Sequence, residues 1–226
     1  MARIIIDNKI LNQMALIRSH RWNKEYDWHK DIQLMESLRL QIPNKESSNE
    51  LFGIEGMCSN IYLNAFVHML KGDFAFSGRN RRPPKDPINI ILSLAYTFLT
   101  KEVISALDAE SFETYLGFLH GVRYGRKSLG LDIVEEFRQP VVDRLVMNLF
   151  NKRMLGTYDF DTDDTGRVLL NDDGFSKFCK EYERWINRKI SSSEDASFRK
   201  VIRSQVSKLK TCIMSQEVYS PYRWRD

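Results

Sequence analysis

Apolar residues recur at intervals of three and four along most of the chain, the spacing that places them on one face of an α-helix. Only residues 158–170 depart from it, with two short apolar runs around an acidic turn that predict a β-hairpin. We therefore predict an all-α fold, a mainly α-helical single domain over 1–226 with one short β-hairpin. The predicted helices cover 3–19, 24–40, 48–70, a stretch from 87, 101–116, 128–152, 171–190 and 195–214.

Prolines and a capping residue predict where one helix begins and where another is distorted. Asp86 is a good N-cap residue, and Pro87 suits the first helical position, where a missing N–H does no harm. Within the helix that begins near Ser128, Pro140 removes the N–H that would bond the carbonyl of Glu136. We therefore expect a kink at Pro140.

Two glycines flank an acid in the first part of the third predicted helix. Gly53 and Gly56 each cost about 1 kcal/mol relative to alanine in a helix. We therefore expect another part of the structure to approach the backbone closely there. Glu55 lies between them among apolar neighbours, where a carboxylate needs a cation, a metal ion or a proton. A structural salt bridge is the commonest of these solutions.

A histidine and several acids lie close together in the stretch 117–143. Asp132 and Glu135 are three residues apart on a predicted helix, Glu136 follows directly, and His120 lies just upstream. Carboxylates clustered beside an imidazole repel one another unless a cation or protons neutralise them. This donor set suits Mg²⁺ or Mn²⁺. The alternative is a solvated acidic face with an ordinary histidine, and this stretch taken alone favours that alternative.

The composition narrows the class of protein. With 226 residues, 42% of them hydrophobic, the chain can bury a substantial core. We find no apolar run long enough to span a bilayer and no signal peptide, so we expect no membrane association. The spacing of Cys58, Cys179 and Cys212 fits neither a metal site nor a disulfide framework, which indicates a reducing, cytoplasmic compartment.

The net charge of +4 is modest but unevenly distributed. Residues 71–85 carry five basic side chains against one acid, 121–127 carry three basic side chains without an acid, and 199–210 carry five more. Such patches attract polyanions, although a solvated surface explains them equally well. The aromatics and arginines of the tail, 219–225, could likewise stack on nucleic acid or pack on their own domain.

Four blocks, in order and at matching spacing, resemble the CRISPR-associated adaptation integrases, metal-dependent DNA nucleases that insert new spacers. The blocks are Gly53-Ile-Glu55-Gly56 with Tyr62 after it, residues 76–89, Gly117-Phe-Leu-His120, and residues 128–138. The tail fits the family as well. The resemblance covers nearly the whole chain and corresponds to the family's C-terminal, α-helical catalytic domain. We expect the chain to lack the β-rich domain with which the family usually begins.

The resemblance implies a catalytic site and a cofactor. The family's metal ligands correspond to Glu55, His120 and Glu135, and Asp132 is the fourth acidic member of the site, able to orient a ligand or bind a second ion. Some members have Asp where Glu135 stands here. The implied cofactor is Mg²⁺ or Mn²⁺, and the implied reaction is attack of a DNA 3′-hydroxyl on a phosphodiester, a transesterification.

The resemblance also implies partners. The expected DNA partners are the prespacer and the CRISPR repeat. The chain is also expected to form a homodimer and to bind a small second CRISPR adaptation protein. The basic side chains of two loops are candidates for phosphate contacts, which position DNA without reading its sequence. These candidates are Arg79, Arg81, Arg82, Arg123, Arg126 and Lys127.

Two other functions remain open from the sequence. One is an integrase of a mobile element that shares the catalytic domain, which terminal inverted repeats in place of a CRISPR array would reveal. The other is an inactive DNA-binding or scaffolding remnant, which would bind DNA without metal-dependent turnover. The presence of all four site residues argues against the remnant.

Overall fold

The computed structural model describes residues 1–20, 22–72, 74–80, 83–190 and 196–224, and within these ranges the predicted all-α fold is confirmed. The hairpin consists of β1 (Phe160–Thr162) and β2 (Val168–Leu170), antiparallel with Phe160 opposite Leu170. The α-helices are α1 (Ala2–Ser19), α2 (Trp28–Arg39), α3 (Ser48–Met69), α4 (Pro87–Ala109), α5 (Ser128–Phe137), α6 (Arg144–Asn151), α7 (Asp172–Asn187) and α8 (Phe198–Ser215).

Local capping fixes where several helices begin. Ser47 and Glu50 form a capping box at the start of α3. Asp86 accepts the backbone N–H of Asn89 at 2.8 Å, and Pro87 occupies the first turn of α4, as predicted. These side chains satisfy backbone donors that a helix start leaves open.

The fourth helix differs from the prediction. A separate helix over 101–116 is wrong, because the buried face of α4 continues through Leu99, Val103 and Leu107, and the helix ends at Ala109. Ser111 then has a φ of 59°, and 110–127 forms a loop.

The prediction that no apolar run is long enough to span a bilayer is also wrong. By length and composition alone, α4 is long and apolar enough to cross a membrane. In this fold it packs against α5, α6 and α8. Its buried side chains, among them Ile91, Leu99 and Val103, are therefore part of the core.

The α-helix that was expected to kink at Pro140 is interrupted there. Residues Arg138–Asp143 form a π-helical segment between α5 and α6. The carbonyl of Glu136 accepts a hydrogen bond from Asn12 Nδ2 at 3.0 Å. The first helix thus satisfies the acceptor that proline leaves open.

The close backbone approach predicted at Gly53 and Gly56 is wrong. A Cβ atom at either position would meet nothing within 4 Å. The helix α3 packs through another face, which carries Leu51, Ile54 and Cys58, and both glycines lie on its exposed side.

The first helix connects the elements that build the site. It packs against α3, α5 and the π-helical segment, and it carries buried polar side chains as well as apolar ones. Asn8 and Asn12 donate to the Tyr222 carbonyl, and Asn12 accepts from the Trp224 N–H. Because buried polar groups need partners, these contacts fix α1 against the C-terminal tail.

Candidate functional site

The three residues predicted as metal ligands line one cleft of about 620 Å³. Glu55 comes from α3, His120 from the loop before α5, and Glu135 from α5. These segments are distant in the sequence, so the cleft exists only when the helices pack together. The wall also carries basic and hydroxyl side chains, among them Lys9, Arg79, Ser93, Tyr96, Thr97, Lys101 and Arg138.

Lys9 lies between the two carboxylates of this cleft. Its Nζ is 2.7 Å from Glu135 Oε2 and forms a second ion pair with Glu55 Oε1. Ser59 also donates to Glu55 Oε1, at 3.0 Å. The salt bridge weighed for Glu55 from the sequence is therefore present. Sequence reasoning missed Lys9 as the partner of Glu55. The available signal was the presence of a lysine on a helix whose apolar stripe packs against the rest of the fold.

Glu135 is buried and has a cation at each oxygen. Arg138 Nη1 lies 3.0 Å from Oε1, and Lys9 Nζ lies 2.7 Å from Oε2. Burial alone would raise the pKa of Glu135, but the charges of Arg138 and Lys9 outweigh burial and lower it to about 2. Glu135 is therefore ionised at neutral pH.

Asp132 is fully buried behind the cleft rather than on its wall. Its carboxylate accepts the backbone N–H groups of Leu119 at 2.9 Å and His120 at 3.0 Å, and it contacts His120 Nδ1 at 2.6 Å. A bond at Nδ1 fixes the imidazole and leaves Nε2 for another partner. Gly117 permits this turn, because a Cβ there would lie 2.8 Å from Asp132 Oδ2. These contacts favour the first of the two roles expected for Asp132, that of orienting His120.

A buried network supports Arg138 from behind. The guanidinium lies over the Tyr96 ring at 4.3 Å. Tyr96 and Tyr62 both donate their hydroxyl groups to Asp143, Tyr62 at 2.6 Å. Burial raises the pKa of Asp143, although the two tyrosine hydrogen bonds oppose the rise. The network fixes the direction from which Arg138 reaches Glu135.

Glu136 points away from the cleft and into the C-terminal tail. It is fully buried and accepts the Tyr219 hydroxyl and the Tyr222 N–H, each at 2.8 Å. Burial raises its pKa to about 7, against the effect of these two hydrogen bonds. Tyr219 and Trp224 are themselves buried. The tail therefore packs on its own domain, and the solvated acidic face considered from the sequence is wrong.

The candidates for phosphate contacts have different surroundings. Arg79 lies at the cleft and donates to Asn89 Oδ1 at 2.8 Å and Ser93 Oγ at 2.9 Å, so it also braces the start of α4. Arg123 is exposed. Arg126 donates to the Gly121 carbonyl, and Lys127 pairs with Asp108 at 3.4 Å. Arg81 and Arg82 lie outside the described residues.

The side chains of the cleft are of the right chemical type to bind a divalent cation, but they lie too far apart in this structure to hold one. Across the described ranges, no three His, Cys, Asp or Glu side chains converge closely enough to hold a metal ion. Carboxylate oxygens with an imidazole nitrogen are nevertheless suitable ligands for Mg²⁺ or Mn²⁺. Glu135 Oε2 is buried and receives no well-directed hydrogen bond from the described residues, while Lys9 supplies a positive charge beside it. The space between Glu55 and Glu135 thus holds a positive charge, in the form of the Lys9 ammonium.

Fold and cleft together define an all-α protein whose polar cleft combines two carboxylates, an imidazole and several cations. The family model described as CRISPR associated protein Cas1 matches residues 1–184. The chain belongs to this family. It is 35% identical over 229 residues to the CRISPR-associated endonuclease Cas1 3 of Thermus thermophilus, a match that covers 100% of this chain and 67% of that protein.

Solved structures agree on the fold. A CAS1 protein from Thermotoga maritima superposes with a TM-score of 0.79 at 26% identity, over 98% of this chain and 69% of that one. A casposase bound to its integration product superposes with a TM-score of 0.81 at 23% identity, over 96% of this chain and 60% of that one. The chain thus spans about two thirds of the length of these relatives.

Proposed function

We propose that this chain is the catalytic domain of a CRISPR adaptation nuclease and integrase that joins DNA 3′-hydroxyl ends to the repeat by transesterification. Family membership supports the general activity. The observation that carries the detailed proposal is that Glu55, His120 and Glu135 come from three separate segments and line one cleft. We assign these three side chains as the ligands of Mg²⁺ or Mn²⁺.

The chain's own residues prepare the cleft for this reaction. Asp132 holds Nδ1 of His120, so that Nε2 is the nitrogen free for a ligand. Glu135 remains ionised because of its cationic neighbours. When bound, the divalent ion would polarise the phosphoryl oxygen and stabilise the charge that develops in the transition state.

Basic side chains at the cleft would attract and position DNA. Lys101 and Arg79 line it, and Arg123 lies exposed on the loop that carries His120. Such contacts bind phosphates without reading sequence and weaken as salt rises. Arg81, Arg82, Arg126 and Lys127 stay in the proposal as further phosphate contacts. The homodimer, the small second adaptation protein and the cytoplasmic location remain predictions from the family and the composition.

The proposal is tested with a branched DNA that mimics a half-integrated spacer, incubated with Mg²⁺, Mn²⁺ or EDTA. We expect metal-dependent resealing that Glu55→Ala and His120→Ala each reduce at least about a hundredfold. His29→Ala is the matched control, because His29 is exposed on α2 and is not part of the cleft wall. Full activity of a folded His120→Ala protein with unchanged metal content would overturn the site assignment.

An integrase of a mobile element is the second candidate, because a casposase shares the fold. It predicts the same residues acting on a different DNA. Strand transfer into a CRISPR repeat, compared with transfer into a terminal inverted repeat, separates the two functions. Binding of DNA without metal-dependent turnover would instead indicate the inactive remnant.

A further inference from the structure

Lys9 holds both cleft carboxylates from a buried position. Its side chain is 8% exposed, and it enters from α1, whereas its partners belong to α3 and α5. Its ammonium pairs with Glu135 Oε2 and with Glu55 Oε1. Arg138 pairs with the other oxygen of Glu135. In this ion-paired cluster, two carboxylates are therefore balanced by two cations.

This balance decides what a further cation would do. With Lys9 in place, a divalent ion would leave the cluster with two positive charges in excess, and uncompensated buried charge is costly. If the ammonium moves away, the two oxygens that it holds become available to the divalent ion. The ammonium and the metal ion thus exclude each other from the same place.

We propose that Lys9 is a built-in competitor for the cation position between Glu55 and Glu135. It neutralises the two carboxylates and holds them together until a divalent ion displaces it. The inference rests on the proposed function, because it concerns the same metal site. Lys9 also lines the cleft, so the displaced ammonium can pair with a phosphate of bound DNA. DNA and metal then strengthen each other's binding by the same factor.

Mn²⁺ titration of the full chain tests this competition, by calorimetry and by the electron paramagnetic resonance signal of free Mn²⁺. Lys9→Met keeps the length of the side chain and removes its charge. We expect it to bind Mn²⁺ about tenfold more tightly than the wild type. We also expect branched DNA to raise the Mn²⁺ affinity of the wild type several-fold and that of Lys9→Met much less.

The matched control is Lys177→Met. Lys177 pairs at 2.6 Å with the buried Asp159, and it is not part of the cleft wall. This control removes one ammonium and one ion pair elsewhere, so its Mn²⁺ affinity should equal that of the wild type. If Lys9→Met does not fold, Lys9→Gln carries the same prediction, since its amide can donate a hydrogen bond to either carboxylate.

The outcomes separate this inference from the proposed function. Glu55→Gln marks the site, because Mn²⁺ binding that it abolishes belongs to the cleft. If such binding exists and Lys9→Met binds Mn²⁺ no more tightly than the wild type, competition by Lys9 is refuted and the metal site stands. If neither protein binds Mn²⁺ in a way that depends on Glu55, the metal site and the inference both fail.

Discussion

Glu135 and Glu136 are neighbours in the sequence and lie in opposite environments. Both are buried, yet the pKa of Glu135 is lowered to about 2 and that of Glu136 is raised to about 7. Glu135 faces the cleft, where Lys9 and Arg138 supply positive charge. Glu136 faces the C-terminal tail and receives hydrogen bonds from neutral donors.

The difference shows that burial alone does not determine the state of a carboxyl group. Cations next to Glu135 offset the cost of desolvating its charge. Neutral donors next to Glu136 offset only part of the corresponding cost. One helix, α5, thus separates a charged cleft on one side from a tail anchor on the other.

The largest expected effect is on catalysis. Glu135→Gln should reduce metal-dependent resealing of branched DNA at least about a hundredfold, because an amide is a poor ligand for Mg²⁺ or Mn²⁺. Glu136→Gln should stay within about threefold of the wild type, since the amide oxygen can still accept the bonds from the tail. Equal losses in two folded variants would show that the two sides of α5 are not separate.

The pH dependence of stability should have opposite signs on the two sides. The pKa of Glu136 is higher in the folded chain than its ordinary value of 4.5, so protonation favours folding. Its stabilising contribution is complete below pH 4.5 and is lost as the pH rises through about 7. Relative to Glu136→Gln, the free energy of unfolding of the wild type should fall by about 3 kcal/mol over this range.

Urea denaturation in EDTA at several pH values measures this slope. Glu135 provides the comparison, because its contribution is complete above pH 4.5 and is lost as the pH falls through about 2. Substituting Glu135 should therefore change the pH dependence of the free energy of unfolding only in the acidic range. A wild type and a Glu136→Gln variant with parallel pH profiles would contradict the environment described for Glu136.

The smallest effect concerns the tail. Tyr219→Phe removes the hydroxyl that donates to Glu136 and should lower the free energy of unfolding by about 1–2 kcal/mol at pH 8. DNA affinity should not change, because the tail packs on its own domain. Tyr158→Phe is the control, since Tyr158 is 95% exposed. Weaker DNA binding by Tyr219→Phe at unchanged stability would instead favour stacking of the tail on nucleic acid.

Local signals in the sequence predicted much of the fold. Helical spacing located α1, α3 and α7 closely, and Asp86 with Pro87 located the start of α4. The second helix was predicted to begin at residue 24, whereas α2 begins at Trp28. The separate helix predicted over 101–116 is wrong because the apolar spacing of α4 continues through Leu107, and the end of α4 before Ser111 has no proline or glycine to mark it. Capping and periodicity act within a few residues, so they reveal such elements well.

The site was predictable only in part. Resemblance to a family indicated Glu55, His120 and Glu135, and the structure brings all three to one cleft. Lys9 was missed because its pairing with Glu55 and Glu135 depends on how α1 packs against two other helices. Contacts between distant segments leave no local pattern, and they decide which carboxylates meet a cation.

We expect a divalent ion to bind at the cleft side of α5 in place of Lys9. Crystals of this chain grown with Mn²⁺ and measured at the manganese absorption edge test it directly. We predict an anomalous peak in contact with Glu55, Glu135 and His120 Nε2, with the Lys9 ammonium moved away from both carboxylates. Manganese bound elsewhere, with the Lys9 ion pairs intact, would contradict it.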